Sequence, residues 1–286
     1  MEIPRSAKPR IQLQMTDGYK NINKIISSNR LNTVCEEACC PNIYDCWGRG
    51  TATIMILGDV CTRACGFCSV KTGKPLSIDK NEPYRISQAV KEMGLRHVVI
   101  TSVDRDDLKN DFGAAIWAET ILEIRKLSPN CTIEVLTPDF QGYLPALKTV
   151  FDAKPDIFSH NVECVKRISK QVRAQAVWQR TLNVLRKSVK YGLLTKSGMM
   201  VGLGETTDEV LKTMQQVVEL GVKIFTVGQY LQPTKNNLPV DRYIERSEFD
   251  LYKKEGLRIG FEIVESGPLV RSSYHADEQA SLVLKT

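Results

Sequence analysis

The segment TATIMILGDVCTRACGFCSV, residues 51–70, joins a short apolar run to a loop that carries three cysteines. The run is mostly aliphatic and predicts a buried strand. Cys61, Cys65 and Cys68 follow it with C-x3-C-x2-C spacing, and Gly66 lets the backbone turn between them. Iron–sulfur clusters normally take four thiolate ligands. The loop therefore predicts a cluster with one iron left for a non-protein ligand, and a zinc loop completed by another cysteine is the alternative.

Runs similar to the first strand recur along the chain, separated by segments with helical spacing. The predicted helices include Phe112–Leu127, Val177–Tyr191 and Val210–Leu220, and Thr206 or Thr207 is the expected cap of the last one. Strands that alternate with helices indicate parallel β–α units. Six units and a final short strand favour an α/β fold, a partial (βα)6 TIM-type barrel, over a flat doubly wound sheet. The further predicted strands are HVVIT (97–101), TIEVL (132–136), DIFSH (156–160), GMMV (198–201), KIFTVG (223–228) and FEIV (261–264).

The predicted barrel has an extension at each end. Residues 1–50 lack clear periodicity and are expected to form an N-terminal extension that carries further cysteines. Residues 51–265 contain no obvious linker and are expected to form the barrel as one domain. Residues 266–286 are expected to be a C-terminal tail.

The composition excludes several classes of protein. The chain has 286 residues, a formal net charge of +6 and 42% hydrophobic residues, which are ordinary values for a globular protein. No apolar run approaches the roughly 18–20 residues of a membrane span. The N-terminus lacks the apolar core of a secretion signal. The positive charge is too dispersed to indicate nucleic-acid binding. A cytoplasmic protein is expected, or one of a mitochondrial or plastid matrix if a leader was removed.

Seven of the nine cysteines lie between residues 35 and 68. In a reducing compartment, clustered thiols indicate metal ligands rather than disulfides. The segment VCEEACCPNIYDCW (34–47) places Cys35, Cys40 and Cys46 at C-x4-C-x5-C spacing, with Cys39 as a spare thiol. These residues predict a second, separate cluster, and zinc or a purely structural cluster is the alternative. Cys131 and Cys164 are expected to be buried packing residues.

The cysteine loop after the first strand resembles that of radical S-adenosylmethionine (SAM) enzymes, and the whole set of motifs resembles lipoyl synthases. The motifs occur in that family's order over roughly residues 31–280: CEEACCPNIYDCW, GDVCTRACGFCSV, TSVDRDDL, LTPDFQG, SHNVE, VGLGET, QYLQPT and GPLVRSSYHADE. The resemblance implies two 4Fe–4S clusters. The cluster at Cys61, Cys65 and Cys68 binds SAM and cleaves it to a 5′-deoxyadenosyl radical, and the auxiliary cluster donates sulfur. The expected product has sulfur at carbons six and eight of an octanoyl chain.

The resemblance also implies roles for individual residues. Cys35, Cys40 and Cys46 are expected to bind the auxiliary cluster, with Cys40 favoured over Cys39 by spacing. One serine of RSSYH is expected to be its fourth ligand, with Ser273 favoured over Ser272. An oxygen donor should release iron more readily than thiolate does, which suits a cluster that is dismantled. Six residues are expected to line the SAM pocket: Thr101, Ser102, Asp104, Asn161, Glu163 and Arg173, the last pairing with the SAM carboxylate. Asp59 and Arg63 are expected only to tune local charge.

The same resemblance implies the partners. They are an octanoylated lipoyl carrier domain or glycine cleavage carrier protein, reduced ferredoxin or flavodoxin as electron donor, and an iron–sulfur carrier that rebuilds the spent cluster. Neither nucleic acid nor membrane is expected. Two alternatives stay open on the sequence: another radical SAM enzyme with an auxiliary cluster, and a zinc-stabilised binding module without catalysis.

Overall fold

The computed structural model describes residues 15–38 and 40–283. None of the helices in these two stretches is long and apolar enough to cross a membrane. The described residues form two compact units. The first comprises residues 15–38, 40–63, 70–159 and 275–283, and the second comprises residues 64–69 and 160–274.

The elements alternate along most of the chain. The strands are β1 (Asn32–Thr33), β2 (Thr53–Ile56), β3 (Val60–Cys61), β4 (Lys71–Thr72), β5 (His97–Ser102), β6 (Thr132–Leu136), β7 (Ile157–Ser159), β8 (Thr195–Val201), β9 (Ile224–Gln229) and β10 (Ile263–Gly267). The α-helices are α1 (Asp17–Ser28), α2 (Val34–Glu37), α3 (Ile43–Gly48), α4 (Glu82–Met93), α5 (Ala114–Leu127), α6 (Leu144–Asp152), α7 (Ser169–Val172), α8 (Trp178–Lys190), α9 (Thr207–Val218), α10 (Arg246–Ile259) and α11 (Ala276–Val283). Single 3-10 turns lie at Phe140–Gly142 and Lys166–Ile168.

The first unit is built on a sheet in the order β1-β2-β5-β6-β7. The last four of these strands are parallel, whereas β1 pairs antiparallel with β2. β2 is buried at all four positions and β5 at its first five. Parallel strands covered on both faces read as continuous apolar runs, so the four strands predicted in this part of the sequence are confirmed. The predicted helix that starts at Phe112 is confirmed as α5, which buries Ile116, Trp117, Ile121 and Ile124 along one face.

The second unit has three parallel strands, with β9 between β8 and β10. All six residues of β9 are buried. The Thr206 hydroxyl caps α9 by accepting a hydrogen bond from the Glu209 N–H, and the Glu209 carboxylate accepts one from the Thr206 N–H at 2.9 Å. This reciprocal capping box satisfies two N–H groups that the helix leaves unpaired, and it confirms Thr206 as the cap. α9 then buries Val210, Met214 and Val217 in the unit's apolar core.

The N-terminal segment has more regular structure than its sequence predicted. α1 begins after Thr16, whose hydroxyl accepts from the Tyr19 N–H at 3.2 Å. Ile22, Ile25 and Ile26 lie on its buried face, and their three- and four-residue spacing is the signal that sequence reasoning missed. Tyr19 stacks on Tyr44 and Trp47 of α3 with ring centroids 5.0 and 5.3 Å away. The predicted domain boundaries stay a prediction.

Candidate active site

The entry to the cysteine loop is a strained turn in the first unit. Directly after β2, Leu57 and Gly58 have φ angles of 68° and 90°, a region that favours glycine and costs energy for leucine. The buried Glu82 carboxylate accepts the Leu57 N–H at 2.7 Å. Arg105 donates to the Leu57 carbonyl at 3.2 Å. Glu82 and Arg105 therefore stabilise the turn from which Cys61 follows.

The sulfur of Cys61 lies beside two backbone donors and the Asp104 carboxylate, whose Oδ2 is 3.9 Å away. It accepts hydrogen bonds from the backbone N–H groups of Arg63 at 3.4 Å and Asp104 at 3.3 Å. Donors directed at a sulfur stabilise its negative charge, and hydrogen bonds of this kind tune iron–sulfur clusters. Cys61 therefore fits the ligand role that its spacing predicts.

Arg63 joins three carboxylates in the first unit. The guanidinium is buried and lies 3.2 Å from Asp104, 2.6 Å from Asp106 and 2.7 Å from Asp139. Burial disfavours its charge, but Asp106, Asp104 and Asp139 outweigh this and raise the pKa of Arg63. The loop of Cys61 is thereby tied to TSVDRDDL after β5 and to LTPDFQG after β6. Arg63 does more than tune local charge, and sequence reasoning missed that role.

Cys65 and Cys68 belong to the second unit and lie in one turn. The Cys68 N–H donates to the Cys65 carbonyl at 3.1 Å. The turn is held at Gly66, whose N–H donates to the Val172 carbonyl at 2.9 Å. A Cβ at Gly66 would lie 2.9 Å from the Leu238 side chain. Close packing is therefore a further reason for glycine between these cysteines.

Three predicted SAM-pocket residues follow β5 or end it in the first unit. The Thr101 hydroxyl donates to the Leu136 carbonyl at 3.0 Å, and the Ser102 hydroxyl donates to the Val103 carbonyl at 2.8 Å. Asp104 pairs with Arg63 and its N–H binds Cys61, as described above. All three are anchored by the protein, and Asp104 is the one that contacts the cysteine loop.

The other three predicted SAM-pocket residues meet in the second unit. Arg173 is buried and donates to the carbonyls of Asn161 at 3.3 Å and Val162 at 3.1 Å. Glu163 has a φ angle of 66°. Burial raises the pKa of Glu163, against the smaller lowering effects of Arg173 and Asn161. The structure thus brings Asn161, Glu163 and Arg173 together.

Two buried polar atoms in this group have no hydrogen-bond partner among the described residues. They are Oδ1 of Asn161 and Nε of Arg173. A Cβ on Gly198 would lie 3.3 Å from that oxygen and 2.1 Å from the Thr226 hydroxyl oxygen. Buried polar groups normally have partners. A buried acceptor and a buried donor without partners in the described part of the chain fit a polar ligand such as SAM, whereas the Thr226 hydroxyl already fills the space beside Gly198.

The turn after β8 requires the last two glycines and the glutamate of the sequence GMMVGLGE (198–205). Gly202 and Gly204 have φ angles of 96° and 98°. The buried Glu205 carboxylate accepts the N–H groups of Gly202 at 2.5 Å and Leu203 at 2.9 Å. Glu205 therefore holds the turn in place from within the motif, a function that the sequence did not predict.

The second cysteine group lies in the first unit, in α2, α3 and the segment between them. Burial and the charge of Cys40 raise the pKa of Cys35 to about 11. Burial, Cys40, Cys35 and Asp45 raise the pKa of Cys46 to about 12. The three thiols are close enough to influence one another. Among the described residues, however, no three His, Cys, Asp or Glu side chains are already arranged to hold a metal ion.

A tryptophan marks the same group as a fit for thiolate ligands. Trp47 is fully buried, and its indole Nε1 has no hydrogen-bond partner among the described residues. The indole N–H is near enough to Cys35 to lower the pKa of that thiol, although burial dominates. A thiolate at Cys35 would accept this hydrogen bond. Because metal ligands must be deprotonated, cluster binding here displaces protons from thiols of raised pKa. Cys39 lies outside the described residues.

The C-terminal tail reaches Ser273 through a tight crossing in the second unit. Ser272 and Ser273 are half-buried in a turn closed by the Tyr274 N–H and the Arg271 carbonyl at 3.0 Å. Val270 lies just before this turn, and a Cβ on Gly228 would lie 2.1 Å from the Val270 carbonyl oxygen. Gly228 sits in the middle strand, paired with Met200 and Gly267. The tail can therefore cross β9 here only because residue 228 has no side chain.

We expect Gly228→Ala to lower the free energy of unfolding by about 1–3 kcal/mol, the usual cost of overpacking. β9 is held on both sides, so the strain must fall on the Val270 segment. Urea unfolding of the iron-free chain measures the change. Gly267→Ala is the matched control, because its Cβ would meet only the Val270 side chain at 3.4 Å. Equal stability of the two variants would contradict the crossing.

After the serines, the tail binds α3 of the first unit through charge. Arg49 lies 3.0 Å from the His275 imidazole and 2.5 Å from Glu278. The His275 imidazole also lies 3.8 Å from Asp45. α11 is thus fastened to the helix that carries Cys46.

Cys131 and Cys164 are buried, which confirms them as packing residues.

The chain is similar in sequence to proteins of one family. The Radical SAM superfamily model matches residues 55–217. The chain is 58% identical to a lipoyl synthase of Rubrobacter xylanophilus over 264 residues, covering 92% of this chain and 82% of that protein. It is 48% identical to a mitochondrial lipoyl synthase of Nematostella vectensis, covering 96% of each chain.

Solved structures show the same fold at low identity. SuiB of Streptococcus suis bound to S-adenosylmethionine is 11% identical, with a TM-score of 0.62, covering 80% of this chain and 55% of that one. Methylornithine synthase (PylB) is 14% identical, with a TM-score of 0.55, covering 91% and 85%. These similarities confirm the radical SAM partial barrel over the flat sheet. The chain therefore belongs to the lipoyl synthase family of radical SAM enzymes, sulfurtransferases that use two 4Fe–4S clusters and S-adenosylmethionine.

Proposed function

We propose that this chain acts on an octanoyl group amide-linked to a lysine of a lipoyl carrier domain, and inserts sulfur at carbons six and eight. These carbons carry no acidic proton, so a general base cannot activate them. The chain has three histidines. His97 and His160 are buried, and His275 contacts Arg49 and Glu278. The proposal therefore assigns hydrogen abstraction to a radical and gives no acid–base role to a histidine.

The observation that carries the proposal is the pair of cysteine groups: the Cys61 sulfur accepts two backbone N–H groups, and Cys35, Cys40 and Cys46 lie close enough for their charges to interact. We assign Cys61, Cys65 and Cys68 to the cluster that binds SAM. We assign Cys35, Cys40, Cys46 and Ser273 to the auxiliary cluster. When bound, the first cluster supplies the electron that cleaves SAM, and the auxiliary cluster supplies sulfur.

The chain's own residues hold charge and orient the co-substrate. The N–H groups of Arg63 and Asp104 stabilise charge on the Cys61 sulfur. We assign six residues to the SAM pocket: Thr101, Ser102, Asp104, Asn161, Glu163 and Arg173. Oδ1 of Asn161 is suited to an ammonium or hydroxyl donor of SAM, and Nε of Arg173 to its carboxylate.

Mass spectrometry of an octanoylated carrier domain tests the function. After anaerobic incubation with the iron-loaded chain, SAM and a reductant, we expect the acyl group to gain two sulfur atoms. Cys46→Ala should still cleave SAM but leave the acyl mass unchanged. An unchanged acyl mass with the unaltered chain, despite SAM cleavage, would indicate another radical SAM reaction. A colourless chain that holds zinc would contradict both.

The proposed partners follow from this chemistry. They are a lipoyl carrier domain or glycine cleavage carrier protein, reduced ferredoxin or flavodoxin, and an iron–sulfur carrier that rebuilds the auxiliary cluster. We place the reaction in the cytoplasm or in an organellar matrix. The net charge of +6 supports electrostatic attraction to an acidic carrier.

A further inference from the structure

The side chain of Asn237 contacts the backbone of the cysteine loop within the second unit. Its amide Nδ2 donates to the Cys68 carbonyl at 2.8 Å and to the Gly66 carbonyl at 3.4 Å. The Leu238 N–H also donates to the Gly66 carbonyl, at 2.9 Å. One side chain thus binds carbonyls at two positions of the C-x2-C turn.

The Asn237 amide is itself fixed from the other side. Its Oδ1 accepts from the Thr234 hydroxyl at 2.7 Å and from the Thr234 N–H at 3.2 Å. Gln232 Nε2 donates to the Asn237 carbonyl at 2.8 Å. These partners determine the positions of the amide oxygen and nitrogen of Asn237, because Thr234 supplies an N–H donor and the cysteine loop supplies carbonyl acceptors.

These contacts determine how the two thiols are presented. Cys65 and Cys68 share one turn, so the direction of both side chains depends on the carbonyls of that turn. A loop held in its binding conformation loses less entropy when it takes up a ligand than a mobile loop does. Asn237 is 169 residues from Cys68 in sequence, and no motif indicated the contact.

We propose that Asn237 is a positioning residue for the SAM-binding cluster. It presents Cys65 and Cys68 together by holding the turn between them, and it does not itself touch the cluster or SAM. The proposal rests on the proposed function, which assigns those cysteines to that cluster.

Asn237→Asp is the sharpest test, because it keeps the shape and both contacts of Oδ1 but replaces the donor with a second acceptor. An oxygen would then face the carbonyls of Cys68 and Gly66. The matched control is Asn236→Asp, which makes the same charge change at the exposed neighbouring residue. Asn237→Ala removes the contacts without adding charge, and it keeps the test open if the aspartate variant folds poorly.

The first readout is the rate at which a chelator removes iron from the fully loaded chain under anaerobic conditions, with and without SAM. SAM protects only the cluster that binds it, so the protected fraction identifies the relevant iron. We expect loss of that fraction to be about tenfold faster in Asn237→Asp than in Asn236→Asp, as one lost hydrogen bond predicts. The remaining iron should leave both variants at the same rate.

The second readout is the change in the electron paramagnetic resonance spectrum of the reduced chain when SAM is added. We expect a broadened or weaker change in both Asn237 variants, and an unaltered thermal midpoint for their iron-free forms. Equal iron loss and equal spectra in Asn237→Asp and Asn236→Asp would overturn the inference alone. An unaltered chain without SAM-protected iron would instead overturn the proposed function.

Discussion

Replacing Arg63 by methionine is expected to lower the free energy of unfolding by about 3–5 kcal/mol, the usual cost of removing one partner from a buried ion pair. Methionine fills a similar volume, so packing changes little. Asp104, Asp106 and Asp139 would face one another without the cation that now lies within 3.2 Å of each. The loop of Cys61 would also lose its ion pair with the segment after β6, whereas Thr62 would still bond with the segment after β5.

Urea unfolding of the iron-free chain measures this loss, and the iron content of the loaded chain measures its effect on the loop. Arg242→Met is a suitable control. Arg242 also binds a carboxylate through two nitrogens, at 2.6 and 2.8 Å from Glu248, but its side chain is 40% exposed. Exposed pairs contribute little. Similar losses for both variants would show that burial of the Arg63 cluster has no special energetic role.

Replacing Ser273 by alanine is expected to leave SAM cleavage largely intact and to abolish the lipoyl product. The hydroxyl is the oxygen donor that we assign to the auxiliary cluster, and alanine supplies no ligand. The methyl group fits the half-buried turn, so the fold should tolerate the change. Two assays separate the steps: chromatography of 5′-deoxyadenosine for SAM cleavage, and mass spectrometry of the acyl carrier for sulfur insertion.

Ser272→Ala is the matched control, since it makes the same change one residue earlier in the same turn. Product formation by Ser272→Ala together with its loss in Ser273→Ala would support the assignment of Ser273. The opposite pattern would transfer the ligand role to Ser272. Full sulfur insertion by both variants would exclude a serine ligand.

Apolar runs and capping residues in the sequence predicted the strands and the helix start that they determine. HVVIT forms β5 at residues 97–102 because a strand covered on both faces needs a continuous apolar run. The cap at Thr206 followed equally well from residue type and spacing. α1 was missed, although its isoleucines carry the same kind of periodic signal. That signal was overlooked in a segment with few other apolar residues.

Long-range polar contacts were beyond prediction for a physical reason. Arg63 meets Asp106 and Asp139, which lie 43 and 76 positions away. Asn237 meets Cys68 across 169 positions. Nothing in the chemistry of one arginine or asparagine selects a distant partner until the strands have assembled. The cysteine spacing predicted which residues to examine, but the residues that hold them in place required the structure.

The ion cluster at Arg63 has a consequence for protein engineering. Arg63 lies in the cysteine loop, and its guanidinium bonds with the loops after β5 and β6 of the first unit. None of these three loops can therefore be transplanted alone into another scaffold. A graft of the cysteine segment without its acidic companions would bury a lone cation, and the reverse graft would bury lone anions. The three loops should therefore be transplanted together, and a substitution at one of their charged residues should be combined with a matching substitution at its partner.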